Sequence, residues 1–297
     1  MVKFFMHRNS TKSFTTSDKL IQVGVLHTTR EPWLSIVKFG QLLSWETQGC
    51  NDFSVIYFYA KASRIASFLD KLIEKFRWGK NRYHAYAISY FLMAFFYPWR
   101  SYIPKANFKE ELDSGIAARA LKVNIPELTC TMRWKKIAFL QYFLEETSSE
   151  YTIITNSSSI LNVELIKQSL EQISRAVDHI YAGPIGTAHD CNFVSGAFTV
   201  LNRNSVKLLL ENLDVIPVHV MDDVCFGTAF KKLGINLINF DSLSIDSLHQ
   251  LENTDAVNLS KYGHFRVKSG TFKNRNDIIL MKELISRLKK HKIYKPR

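Results

Sequence analysis

The residues best suited to chemistry are two adjacent carboxylates, Asp222 and Asp223, set between the apolar stretches VHVM and VCFG. A carboxylate held in a pocket can accept a proton from a hydroxyl and so turn an alcohol into a nucleophile. Its neighbour would then hydrogen-bond the reacting group or organise the loop. The same two acids at the start of a helix also suit N-cap positions, favoured by the positive end of the helix dipole. On local grounds both readings stand. His27, Thr28, Thr29 and Arg30 follow an apolar run, and Asn156, Ser157, Ser158 and Ser159 follow another. Hydroxyls and a guanidinium in such places can hold a nucleotide or its phosphates, or they can cap helices and turns. Ser195-Gly196 puts a glycine inside a strand-like pattern, a mark of close approach by a ligand or another chain segment. His264 and Arg266, in YGHFRVKSG with Lys261 and Lys268, read as a basic loop suited to a diphosphate or simply to solvent.

These residues need elements to place them, and the apolar pattern supplies a set. LIQVGVLHTT (Leu20–Thr29) and FSVIYFY (Phe53–Tyr59) read as strands, with apolar residues at helical spacing over Ile36–Trp45 between them. Strand–helix–strand order predicts a parallel crossover and an α/β layer structure. Residues 61–104 read as an aromatic helical stretch broken by Pro98 and Pro104. A helix over Trp134–Glu146 leads into the strand YTIIT (Tyr151–Thr155). Further strands are expected over Phe193–Leu201 and Ile235–Phe240. Helices are expected over Asp222–Leu233 and, basic and amphipathic, over Asp277–Lys290. In open α/β sheets ligands bind beyond the carboxyl ends of the strands, which singles out His27–Arg30 and the residues after YTIIT. Residues 1–19 are polar and expected to be flexible. Without an internal repeat or linker, residues 20–297 are expected to form one domain.

The chain has 297 residues, 46% hydrophobic and 22% charged, a globular composition. Lys and Arg number 39 against 27 Asp and Glu, a net +12 that favours an anionic partner. The basic residues are scattered and no RRM, KH, zinc-finger or helix-turn-helix pattern occurs, so nucleic acid is not expected as that partner. Four cysteines without a CxxC pair imply neither a zinc site nor a disulfide framework, and make a reducing compartment the default. The amino terminus has no sustained apolar core of a signal peptide. The most apolar stretch, Ala85–Trp99, is shorter than the roughly 20 residues a spanning helix needs. It reads as core, or as an interfacial helix that with the basic tail would give peripheral membrane contact. A cytoplasmic location is expected.

The order of the segments carries a resemblance. LIQVGVLHTTRE and VIYFYAK are similar to the opening of the fringe and β-1,3-galactosyltransferase-like enzymes. RWKKIAFLQYFLEETSSEYTIITNSSSILN resembles their helix and strand leading to the metal-binding aspartates. CNFVSGAFTVLNR resembles their SGGGYVLSR-type strand, and MDDVCFGTAFKKLGI resembles their EDVYVGLCLKKLGI segment, the most specific of the four. The similarity runs from about Leu20 to Phe240.

The resemblance implies a GT-A (nucleotide-diphospho-sugar transferase) fold, with a central, mostly parallel sheet flanked by helices. It also implies a UDP- or GDP-linked sugar donor, a glycan or glycoconjugate acceptor, and inversion at the anomeric carbon. Asp223 aligns with the aspartate of the EDV motif, the implied base, and Asp222 with the acid before it. The donor would lie against His27–Arg30, Lys135, Asn156–Ser159, Ser195, Gly196, His264 and Arg266. One departure matters. Where the family has Asp-x-Asp, this chain reads Thr155-Asn156-Ser157-Ser158-Ser159. Serine hydroxyls are poor ligands for Mg²⁺ or Mn²⁺, so no cofactor is expected, with a divalent Mn²⁺ or Mg²⁺ left as the alternative. Cations from Arg30, Lys135, His264 and Arg266 are expected to neutralise the leaving diphosphate instead. The same departure allows an alternative, an inactive GT-A-like protein that binds a glycan or a protein.

Overall fold

The computed structural model describes residues 19–46, 52–61, 108–113, 115–116, 118–127, 131–188, 191–217, 220–270 and 275–293. The aromatic stretch expected over 61–104 and the amino-terminal segment lie, apart from residues 19 and 61, outside the described residues.

The apolar run IQVGVL becomes β1 (Ile21–Leu26), and FSVIYFYAK becomes β2 (Phe53–Lys61), parallel to it. Between them lie α1 (Trp33–Ile36), a π-helical turn (Val37–Gln41) and α2 (Leu42–Glu46), the crossover the pattern predicts. A hairpin not foreseen, β3 (Phe108–Asp113) and β4 (Ala118–Pro126), adds β4 parallel to β2. Helix α3 (Met132–Glu146) leads into β5 (Tyr151–Asn156), which pairs parallel with β1. After β6 (Ser159–Leu161) come α4 (Val163–Ile173), β7 (Tyr181–Gly183), β8 (Ile185–Ala188), β9 (Cys191–Val194), β10 (Phe198–Asn202) and α5 (Arg203–Glu211). Then follow α6 (Asp222–Lys232), β11 (Ile238–Asn239), β12 (Ser242–Ile245), α7 (Leu248–Glu252), α8 (Ala256–Leu259), β13 (His264–Val267) and α9 (Asp277–Lys290).

The main sheet has eight strands in the order β11-β7-β10-β5-β1-β2-β4-β3. All run one way except β10 and β3, which pair antiparallel with their neighbours. The expected α/β class and mostly parallel central sheet are therefore present. On one face, Phe58 and Leu121 pack with Phe139 and Phe143 of α3, Leu209 of α5 and Phe230 of α6. On the other, Val23, Tyr57 and Ile153 pack with Val37 and with Ile166 and Leu170 of α4. A third cluster joins Ile160 and Phe265 of a small sheet, β12-β13-β6, to Leu280, Leu284 and Leu288 of α9. Among the described residues, no helix is long and apolar enough to cross a membrane.

Three expectations are corrected. The strand expected over Phe193–Leu201 is two strands in different sheets. β9 pairs with β8, β10 joins the main sheet, and a turn at Ser195–Ala197 separates them, closed by Phe198 N–H on the Ser195 carbonyl at 3.0 Å. The strand expected over Ile235–Phe240 shrinks to β11, because the chain first has to leave α6. Gly234 at φ 74° and the Ile235 N–H bonded back to the Phe230 carbonyl at 2.9 Å make that exit. The basic loop around His264 and Arg266 is β13, with Phe265 and Val267 buried against α9.

Candidate active site at the carboxyl edge of the sheet

Strand register brings the singled-out segments to one edge. Leu26 stands beside Asn156 on one side and Phe58 on the other, so β1 and β5 end level while β2 runs on to Lys61. β10 runs the opposite way with Phe198 beside Thr155, so its entry turn, Ser195–Ala197, lies at the same edge. Two hydroxyls tie the turn there: Thr155 Oγ1 and Ser159 Oγ each donate to the Ala197 carbonyl, at 2.8 and 3.0 Å.

Asp222 and Asp223 open α6, but they do not cap it. The N-cap residue is Met221, with no side-chain cap bond. Instead, both carboxylates reach across to α3, where Lys136 Nζ lies 2.6 Å from Asp222 Oδ2 and 2.9 Å from Asp223 Oδ1. The Gly196 N–H also donates to Asp223. A Cβ on Gly196 would stand 2.2 Å from Asp223 Oδ1 and 2.6 Å from Lys136 Nζ, so the close approach implied by this glycine is that of the ion pair. Side-chain exposure is 12% for Asp222 and 20% for Asp223, so Asp223 is the more open of the two.

The two carboxyls are driven apart. Burial opposes ionisation of Asp222, but the Lys136 ammonium overcomes it and, with Arg133, holds Asp222 below the ordinary carboxylate range. Burial and the adjacent Asp222 charge raise Asp223 above that range, against the pull of Lys136 and the Gly196 N–H. Lys136 itself is held well above its ordinary value: burial works against its charge, and the two aspartates outweigh it. Paired acids whose environments separate their pKa values divide the acid–base work between them. Here Asp222 carries the fixed negative charge, and Asp223 is the stronger proton acceptor.

Lys136 is the member of this buried cluster that sequence reasoning missed, while it named its neighbour Lys135. Lys135 is buried and paired with Glu127 Oε1 at 2.5 Å; Glu127 Oε2 in turn accepts the Ala60 N–H at 3.0 Å. Its charge is spent at the end of β4, which corrects its expected role as a cation for diphosphate. The available signal was the run RWKK in an otherwise apolar helix: Arg133, Lys135 and Lys136 are all buried. Arg133 Nη1 donates to the Pro217 carbonyl at 2.9 Å and to Cys225 Sγ at 3.3 Å.

His264 also proves not to be a cation. It is fully buried and stacked on Phe198 at 4.6 Å, and burial, with Arg266 nearby, pushes its pKa down to about 3. Its Nδ1 lies 2.6 Å from Ser242 Oγ and its Nε2 3.0 Å from Ser159 Oγ. Because Ser159 donates to the Ala197 carbonyl, His264 carries its proton on Nε2 and accepts from Ser242 on Nδ1. Arg266, paired in register with Ser159, is partly buried, and its Nε has no hydrogen bond among the described residues.

The serine turn is largely engaged with itself. Asn156 Oδ1 accepts from Ser158 N–H at 3.0 Å and lies 3.1 Å from Ser159 Oγ, and Gln41 Nε2 donates to the carbonyls of Asn156 and Ser159 at 2.7 and 2.9 Å. Ser158 Oγ accepts from Arg275 Nη2 at 2.9 Å, and Arg275 in turn lies over the Trp33 ring and pairs with buried Asp277. Of the three serines, Ser157 is the one whose hydroxyl makes no hydrogen bond among the described residues. Neutral hydroxyls, two of the three already hydrogen-bonded, do not fit a divalent cation. Among the described residues, no group of three or more His, Cys, Asp or Glu is placed to hold a metal ion. At the end of β1, His27 is buried edge-on to Tyr57 and Tyr59, Thr28 is half-buried, Thr29 is exposed, and Arg30 Nη2 reaches the Glu127 carbonyl at 3.4 Å.

No protein-family model matches the sequence, and no curated protein matches it. Among solved structures, the chain is similar in its path to the galactosyltransferase LgtC, solved with donor and acceptor sugar analogs. Identity is 11% over 90% of this chain and 95% of that one, with a TM-score of 0.41. It is similar to a mannosyltransferase from Pyrobaculum calidifontis in complex with GDP-Man and Mn²⁺, at 13% identity over 94% of this chain and 65% of that one, TM-score 0.39. It is also similar to the apo form of mouse xyloside xylosyltransferase 1, at 7% identity over 84% and 97%, TM-score 0.37. At these scores the likeness says nothing about this chain's own activity or substrates.

Proposed function

We propose that residues 20–297 act as one GT-A-like domain that transfers a sugar, with inversion, from a UDP- or GDP-linked donor to a hydroxyl of a glycan or glycoconjugate. The reading is carried by Asp223: a carboxylate of raised proton affinity, the more open member of its pair, bonded to the Gly196 turn at the carboxyl edge of the sheet. It is supported by the ordered sequence motifs, since the segments resembling the family's base motif and glycine strand are the two that meet here.

In this reaction the acceptor oxygen attacks the anomeric carbon as the bond to the diphosphate oxygen breaks. Asp223 takes the hydroxyl proton, so the nucleoside diphosphate leaves as the anion. Its developing charge needs a counter-charge, because electrostatic stabilisation is usually the largest catalytic contribution. Arg266 is the cation assigned here, its Nε buried without a hydrogen bond among the described residues and its strand position beside Ser159. Arg30 and the Ser157 hydroxyl complete the donor side. No metal enters this scheme. Transfer measured over a panel of UDP- and GDP-sugars, with and without chelator, tests it: activity abolished by chelator and restored by Mn²⁺ would contradict the metal-free reaction.

A second reading, an inactive glycan- or protein-binding relative, is favoured by one observation, the self-engaged serine turn in place of Asp-x-Asp. It predicts that Asp223→Asn binds its ligand as the natural chain does, with neither protein turning over any nucleotide-sugar.

A further inference from the structure

We propose that Lys136 is the positioning residue of this site: its ammonium bridges both aspartates, keeps Asp223 against the Gly196 turn, and leaves Asp222 as the fixed charge and Asp223 as the group that exchanges a proton. The proposal rests on the reading of Asp223 as base and goes beyond it, by naming the group that orients that base.

Three elements meet at the ammonium. Lys136 comes from α3, Asp222 and Asp223 from α6, and Gly196 from the turn before β10. The side chain is 5% exposed, so it has left water for these partners. A buried cation with one carboxylate would be a neutral structural pair. Here one ammonium is shared by two carboxylates, of which Asp223 is the more exposed. Burying such a set costs several kcal/mol of desolvation per ion in a typical protein and is weak evidence for a stabilising role. A group that holds a reactive carboxylate is the better account of why the chain keeps it.

Around the two aspartates, the charged and titratable groups among the described residues come from three elements. Lys136 and Arg133 approach from α3, the Tyr181 hydroxyl from β7, and Asp222 and the Cys225 thiol from α6. Tyr181 is neutral because burial raises its hydroxyl, and burial likewise pushes the Cys225 thiol up to about 11. Among the described residues, Asp222 and Lys136 are the charges that bear on Asp223, and they act in opposite directions.

The test is the pH profile of kcat/KM, whose acid limb reports the base of the free enzyme. Lys136→Met removes the attractive charge and should move the acid limb to higher pH. Asp222→Asn removes the repulsive one and should move it to lower pH, each by about one unit or more, as for a charge within about 4–6 Å. Donor KM should stay within about threefold while kcat falls, because the lost interaction serves the transition state. Lys136→Met leaves two buried carboxylates uncompensated; if it fails to fold, the isosteric Asp222→Asn decides. An unmoved limb in the folded variants, with an active natural chain that Asp223→Asn inactivates, overturns this proposal alone. A natural chain that turns over no nucleotide-sugar overturns both this proposal and the reading it rests on.

Discussion

The Lys136 ammonium lies 2.9 Å from Asp223 Oδ1, in the space that a side chain on Gly196 would need. The pair and the glycine are one structural unit, and each is intelligible only through the other.

Gly196→Ala should therefore be a site variant. Its Cβ would meet Asp223 Oδ1 at 2.2 Å, and the carboxylate and ammonium would have to move. Overpacking of this kind costs about 1–3 kcal/mol, so the domain should still fold. We expect transfer to fall at least about 100-fold, as for loss of a positioned proton acceptor, with a modest drop in Tm. Near-normal transfer would separate Gly196 from the site.

Lys135 and Arg266 should part company. Breaking the buried Lys135–Glu127 pair by Lys135→Met leaves a carboxylate unpaired at the end of β4, at a cost of about 3–5 kcal/mol in stability. Arg266→Gln removes a partly buried cation on a strand next to the serine turn. It should lower donor affinity about tenfold or more while leaving Tm nearly unchanged, since a hydrogen bond to a charged group contributes about 1.5–3 kcal/mol. Chemical denaturation and donor titration by calorimetry distinguish the two.

His264 should not titrate in the physiological range. Its folded-state pKa of about 3 lies below the ordinary 6.5, so the stability it contributes is fully present above pH 6.5 and declines as pH falls from there toward 3, where the folded state also takes up the proton. Its ring resonances should stay those of the Nε2–H neutral form down to about pH 4. A midpoint near 6.5 would return His264 to the list of cations.

Asp223→Asn should cost activity without costing stability at pH 7. Burial and Asp222 raise the Asp223 pKa, so its charged form is disfavoured on folding. A group raised in this way contributes stability below its unfolded pKa and loses it as pH rises through the folded one. Removing the charge should leave Tm at pH 7 equal to or above that of the natural chain. A fall of several degrees would mean that Asp223 is held for structure.

Much of the frame was legible because it is local. Val23, Val25, Ile153 and Ile154 announce buried strands by themselves, and Asp277–Lys290 is a helix with the bounds its pattern implies. The split of CNFVSGAFTVL was not legible, because the run is apolar on both sides of a turn whose partners, Thr155, Ser159 and Asp223, come from elsewhere in the chain. Lys136 is 87 residues from Asp223, and spacing cannot reveal such a partner. His264 was misjudged for the same reason: its neutrality comes from burial, and the Phe198 ring and Ser159 hydroxyl packed against it belong to distant segments. Gly196 was flagged by its type alone, and only the structure supplies the ion pair that approaches it.

The most direct test of the central claim is transfer from UDP- and GDP-sugars to a panel of glycan acceptors, with the natural chain and Asp223→Asn side by side and nucleoside diphosphate release as the readout. We predict release by the natural chain with at least one donor, and a fall of about 100-fold or more in Asp223→Asn with donor binding retained. Equal turnover by the two proteins, or none by either with any donor, would contradict the account.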